Sequence, residues 1–310
     1  MNLAGMCDGF LEACQVRGLA PNTIGMRRQY LRHFTSWLGE RDLQSLTPRD
    51  MQAYARELAA YRYRREKAEN APWRALAPHT RAQRLWIVLE LLGWLVARRQ
   101  LLANPASGLC PKMPPRKLPR RIPTESEMIR LLAAPNPRTA IGRRDRAILE
   151  LMYSTGLRVA EVAALDVADL DLTAGTLIVR CGKGGKGRVV PLGQAAVAAL
   201  LDYLQHSRPG FMQKPGSTGL FLACDQNILA GHRLTTYAIR SIVHRVARKA
   251  GFDRSINPHQ LRHACATHML RAGCDLHHIQ RLLGHSRVDT TEIYTHAHAG
   301  DKRKTIEKYH

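Results

Sequence analysis

The sequence predicts a mainly α-helical protein of two domains, with a small β-sheet confined to the second. Three observations carry that expectation. Apolar residues recur at helical spacing through roughly the first 110 positions, with almost no strand signal. A basic, proline-dense stretch then interrupts the chain. Beyond it, helical patterns alternate with two short β-branched runs around a glycine-rich turn. At 310 residues and 45% hydrophobic content, the chain is long enough to bury two cores.

Within the first part, Pro21-Asn22-Thr23 and Leu46-Thr47-Pro48 read as helix starts. Thr47 is the expected N-cap, and Pro48 falls in the first turn, where its missing N–H is no loss. Ala53, Leu58 and Tyr61 fit one helix; Leu85, Val88, Leu91, Leu92 and Leu95 fit another. These belong to a helical domain over residues 1–110. Its arginines, among them Arg62, Arg64, Arg65, Arg81 and Arg84, meet few acids after residue 56, so they read either as a solvated face or as a surface turned toward a polyanion. Residues 111–121 form a linker. Proline there stops any helix, and Lys112, Arg116, Lys117, Arg120 and Arg121 would let an extended chain follow a line of phosphates.

The second domain, residues 122–310, opens on a helix capped by Thr124 or Ser126. RDRAILELMYSTGL is helical. TLIVRC and RVVPLG are strands flanking GKGGKG, the pattern of a hairpin, and after Phe221 and Leu222 the chain turns helical to its end. The tail over 300–310, with Ile306 and Tyr309 as apolar anchors, fits either a short docking segment or a solvated terminus.

A formal charge of +22 and a pI near 10.4 point to a polyanionic partner, nucleic acid or an anionic membrane surface. No apolar run reaches the ~18 residues of a membrane span, and the N-terminus lacks a basic start followed by an apolar stretch. The seven cysteines show no CxxC spacing and read as reduced, mostly core residues. The expectation is a soluble cytoplasmic protein that binds nucleic acid and no membrane.

Two motifs are decoys. Gly182-Lys183-Gly184-Gly185-Lys186-Gly187 matches GxGxxG, but a strand follows it where a dinucleotide site needs a helix N-terminus, and no Ser or Thr follows Lys186 as a phosphate loop needs. His259-Gln260-Leu261-Arg262-His263 matches HExxH only at its ends. It lacks the glutamate base and sets an arginine between the two histidines, so no metal is expected.

A different constellation remains. Asn257 as N-cap and Pro258 in the first turn start a helix that puts His259, Arg262 and His263 on one face. Leu261, Ala264, Cys265 and His268 form the adjoining inward stripe, and Gly273 ends the helix. Asp275 caps the next, whose Leu276, Ile279, Leu282 and Leu283 face inward; Gly284 stops it and leaves His285 at an exposed corner. A short helix from about Asp289 then presents Ile293 to the core with Tyr294 beside it. Taken singly, the arginine could be a solvated residue and the tyrosine a core residue.

Jointly, this stretch resembles the signature of the tyrosine recombinases, the phage-integrase and Xer-like family. The resemblance lies in His259-x-x-Arg262-His263, Leu283-Gly284-His285 and Thr290-Thr291-x-Ile293-Tyr294-Thr295-His296. Upstream it includes Thr155-Gly156-Leu157-Arg158-x-x-Glu161, similar to the family's first arginine box, and the GKGGKGRVVPLG hairpin, similar to that of its catalytic lysine. Departures are small: Ala160 and Ala163 flank Glu161, and Cys265 stands where other residues are common. Residues 1–110 resemble the family's core-binding domain in general character only.

The resemblance implies a clamp of a helical core-binding domain and an α+β catalytic domain around duplex DNA. It implies Tyr294 as nucleophile and Arg158 and Arg262 as grips on the scissile phosphate. Lys183 would be the acid for the leaving 5′ oxygen, with Lys186 its rival, while His259 and His285 would bind the phosphate and assist proton movement. Its implied activity is site-specific strand exchange through a covalent 3′-phosphotyrosine, on recombination sites, by a homotetramer or a heterotetramer with a related recombinase. The chemistry agrees. A phenol of pKa ~10 needs proton removal to attack, and guanidinium forks match phosphate oxygens without losing their charge. No acidic cluster suits two-metal chemistry, and exchanging one phosphodiester for another needs no ATP, so no cofactor is expected. Two alternatives share part of this pattern: a type IB topoisomerase, and a sequence-specific DNA-binding protein without chemistry.

Overall fold

In the computed structural model of the chain, the described residues are 3–64, 72–114, 121–180, 187–212, 216–224 and 231–284. The chain divides into two compact units, residues 1–118 and 119–310, and the division falls inside the proline-dense segment.

The first unit is built on four helices, α1 (Leu3–Val16), α2 (Pro21–Leu38), α3 (Pro48–Ala60) and α4 (Pro78–Ala97). Proline opens α2, α3 and α4. Thr47 and Asp50 form a reciprocal capping box on α3: the Asp50 amide donates to the Thr47 hydroxyl at 3.3 Å, and the Thr47 amide donates to the Asp50 carboxylate at 2.9 Å. Phe10, Phe34, Tyr54, Leu91 and Leu92 lie at the centre of this unit's core.

Three expectations are corrected here. The buried stripe of α3 is Met51, Tyr54 and Leu58, at i, i+3 and i+7, whereas Ala53 is only half-buried and Tyr61 lies past the helix end. Strands β1 (Arg62–Tyr63) and β2 (Arg74–Ala75) pair antiparallel, a ribbon too short to leave an alternating pattern. Arg84, expected on the surface, is buried with its guanidinium 5.0 Å from the Tyr30 ring and 5.4 Å from the Tyr61 ring.

The second unit begins with α5 (Glu125–Ala133), capped by Thr124; Glu127 returns the cap and takes a two-pronged pair from Arg254 at 3.1 and 3.0 Å. Helix α6 (Ala140–Thr155) runs through the core and ends at Gly156, whose φ of 62° is left-handed. After α7 (Val159–Ala164) come three antiparallel strands, β3 (Leu170–Asp171), β4 (Thr176–Val179) and β5 (Arg188–Pro191). The expected hairpin is β4–β5, registered Val179 to Arg188; β3 is an addition as short as the ribbon of the first unit. Leu177, Val179 and Val190 point into the core, while Ile178 and Val189, paired across the strands, stay exposed. Helices α8 (Gln194–His206), α9 (Arg208–Phe211), α10 (Thr236–Lys249), α11 (Pro258–Arg271) and α12 (Leu276–Leu283) complete the described part. Among the described residues, no helix is long and apolar enough to cross a membrane, and no group of three or more His, Cys, Asp or Glu side chains could hold a metal ion.

Candidate active site

The site is organised by two helix ends and two helix starts, all in the second unit. Helix α11 starts at a capping box. The Asn257 side chain accepts from the His259 and Gln260 amides at 3.0 and 3.2 Å, and Gln260 returns a bond to the Asn257 amide at 3.1 Å. That fixes the phase of the first turns and sends His259 and Arg262 to one side. The left-handed turn at Gly156 then lets the chain leave α6 and place Arg158 at the N-cap of α7. A Cβ at Gly156 would come 2.4 Å from Cδ2 of Leu283, so the leucine side chain at the end of α12 packs directly onto this turn.

Arg158, His259 and Arg262 line one open cleft of about 510 Å³, together with Arg240 and Asn257. Arg262 is 2% exposed and donates to the Gly156 and Leu283 carbonyls at 2.6 and 2.7 Å. Arg158 is about a third exposed; it donates to Glu161 at 3.0 Å and to the Gly284 carbonyl at 3.2 Å. Arg188, on β5, grips both oxygens of Glu161 at 3.0 and 3.1 Å and donates through Nε to the Leu282 carbonyl at 3.0 Å. The consecutive carbonyls of Leu282, Leu283 and Gly284 at the end of α12 are thus each held by a different arginine. Helix-end carbonyls carry partial negative charge and lack intrahelical donors, so cations are stabilising there.

Glu161 is the acid among these arginines. Burial works against its charged form, but hydrogen bonds from Arg188 and from the Arg158 amide outweigh it and hold the carboxyl below its ordinary range. His259 presents an exposed edge, yet protein atoms crowd its other side. That burial, followed by repulsion from Arg262 and Arg158, lowers its pKa from 6.5 and favours the neutral imidazole. His263 stands edge to face against it, with ring centres 4.3 Å apart. Guanidinium groups beside a neutral imidazole suit binding of an oxyanion and acceptance of a proton next to it.

Of the residues singled out from the sequence, the structure brings Arg158, His259 and Arg262 together. Lys183 and its rival Lys186, His285 and Tyr294 lie outside the described residues, as do Arg116, Lys117 and Arg120 of the linker. Lys112 and Arg121 are exposed, and Arg121 lies 3.7 Å from Glu127. Two arginines of the site were not anticipated. Arg188 reads from sequence as an ordinary strand residue. Arg240 shares with Arg248 the exposed face of the amphipathic α10, a signal that the sequence did contain.

Residues 122–300 match the phage integrase family. The tyrosine recombinase XerC 2 of Ralstonia nicotianae is 39% identical over 293 residues, which span 93% of this chain and 80% of the relative. The tyrosine recombinase XerC of Pelotomaculum thermopropionicum is 35% identical over 312 residues, spanning 98% and 97%. A solved lambda integrase tetramer bound to a Holliday junction has the same fold, with a TM-score of 0.69 at 15% identity over 95% of this chain and 77% of that one.

Proposed function

The chain belongs to the phage integrase family and is a tyrosine recombinase, and on that premise we propose which of its side chains carry out the reaction. Arg158 and Arg262 grip the non-bridging oxygens of a scissile phosphate in duplex DNA, and His259 binds beside them. Tyr294 attacks the phosphorus through its phenolic oxygen, the bond to the 5′ oxygen breaks, and a 3′-phosphotyrosine forms. The phenolic proton leaves to a neutral imidazole, His259 or His285, and Lys183 protonates the departing 5′ oxygen. A 5′ hydroxyl from the partner strand then attacks the phosphotyrosine and restores the phenol. Each step replaces one phosphodiester with another, so no nucleotide is consumed.

The observation that carries this reading is the convergence of Arg158, Arg262 and His259 on one cleft from segments a hundred residues apart in sequence. Preorganised donors aimed at developing phosphate charge are commonly the largest single contribution to a rate enhancement. The relatives' activities do not favour the topoisomerase or the silent DNA-binding alternative. Residues 1–110 act as a core-binding domain and 122–310 as the catalytic domain, with the basic residues between them following the DNA backbone. The active assembly is a tetramer on paired sites, in line with the tetrameric lambda integrase complex. The charge of +22 supports DNA as partner, and the free thiols of the described cysteines are in keeping with a cytoplasmic location.

A nicked suicide substrate, whose cleaved fragment diffuses away, tests the reading. The wild type is expected to accumulate a covalent protein–DNA adduct, and Tyr294→Phe to form none while still shifting DNA in a gel. An adduct that persists in Tyr294→Phe moves the nucleophile to another tyrosine.

A further inference from the structure

We propose that Arg188 is a positioning residue for Arg158: it engages the Glu161 carboxylate from the far side and so keeps Arg158 turned toward the cleft. The inference rests on the reading of Arg158 as a phosphate grip.

Both Glu161 oxygens are shared. Oε1 accepts from Arg158 Nη1 and Arg188 Nη1, each at 3.0 Å; Oε2 accepts from the Arg158 amide at 2.8 Å and Arg188 Nη2 at 3.1 Å. The pair is well shielded, with the Glu161 side chain 5% and the Arg188 side chain 14% exposed. Arg188 therefore holds the two-pronged geometry with the carboxylate and leaves Arg158 a single side-chain bond to it. Without Arg188, a buried carboxylate facing one remaining guanidinium would draw it into the fork-to-fork pair that such groups prefer. Arg158 would then turn the edge it offers a phosphate onto Glu161.

The second anchor of Arg158 depends on the same side chain. Arg158 Nη2 rests on the Gly284 carbonyl, and Arg188 Nε holds the carbonyl two residues earlier, at Leu282. The Arg188 guanidinium also lies directly against Gly284, where an added Cβ would be 3.1 Å from Cζ. Arg188 thus touches both supports of Arg158.

The test uses the full chain and suicide substrates carrying either a normal phosphodiester or a methylphosphonate at the cleavage position. The methylphosphonate bears no negative charge and lessens the demand for a guanidinium. Arg188→Ala is expected to bind DNA within about threefold of wild type and to cleave the phosphodiester about 100-fold more slowly. On the methylphosphonate, its deficit relative to wild type should shrink to about tenfold or less, in parallel with that of Arg158→Ala. Arg188→Lys, which keeps the charge and loses the fork, should fall between wild type and Arg188→Ala and show the same dependence on linkage. It carries the test should the alanine variant not fold. Wild-type cleavage by Arg188→Ala, or an equal deficit on both linkages while that of Arg158→Ala shrinks, overturns the proposal. Absence of any adduct from the wild type overturns the functional reading beneath it.

Discussion

Arg84 in the first unit and Arg262 in the second are both buried, at 8% and 2% exposure, but their guanidinium groups meet different surroundings. Arg84 lies among the rings of Tyr30 and Tyr61, and its Nε and Nη1 atoms have no hydrogen-bond partner among the described residues. Arg262 donates to two carbonyls, one at the end of α6 and one at the end of α12, and opens onto the cleft. Burial of a cation is therefore no mark of a site in this protein. What separates the two is which backbone segments the cation ties together. Arg84 fills space in a core, whereas Arg262 joins three helices at the cleft proposed to take the phosphate.

Arg262→Ala should slow single-turnover cleavage of a suicide substrate by about 10³-fold and lower the melting temperature, since two carbonyls lose their donor. Near-normal cleavage would place Arg262 with Arg84. Gly156→Ala tests how much room the turn under Leu283 leaves. The left-handed φ and the 2.4 Å approach to Leu283 should together destabilise the fold by about 2–4 kcal/mol, measured by chemical denaturation.

His259 adds a dependence on pH. Its folded pKa lies below 6.5, so the unfolded chain binds the proton more tightly. Its contribution to stability is accordingly full above pH 6.5 and is lost as pH falls through the lower folded value. If the neutral ring accepts the phenolic proton, cleavage should be flat above that folded value and fall about tenfold per pH unit below it. His259→Gln should remove the break, and a break that survives assigns it to another group. The smallest effect is expected at Arg84. Arg84→Met forfeits two cation–π contacts but relieves unsatisfied buried donors, so stability should change by less than about 1 kcal/mol, with cleavage rate unaltered. A large loss would give this arginine a role the aromatic nest does not suggest.

How legible each part was in the sequence follows from how local its cause is. The phase of α11, and with it the shared side of His259 and Arg262, is set by Asn257 and Pro258 next door, and could be read directly. Arg158 follows a glycine that ends a helix, which is also a local signal. Arg188 and Arg240 were not legible in the same way. Arg188 reaches Glu161 only through the register of β4 on β5 and the fold of α7 against it, and Arg240 joins the cleft only through α10. The charge of Arg84 points to the surface but its position does not: with Val88, Leu91 and Leu95 it falls at i, i+4, i+7 and i+11 of one buried stripe. The ribbon β1–β2 and strand β3, each pairing two residues, are shorter than any alternation can reveal.

The contact between Gly156 and Leu283 also constrains how this protein can drift or be redesigned. A methyl group at one position and the present leucine at the other cannot coexist without a shift, so the two sites form a matched set although they lie 127 positions apart. Libraries that vary the first arginine box and the end of α12 independently will therefore contain clones in which one of these two side chains must move aside, whatever DNA they were built to recognise.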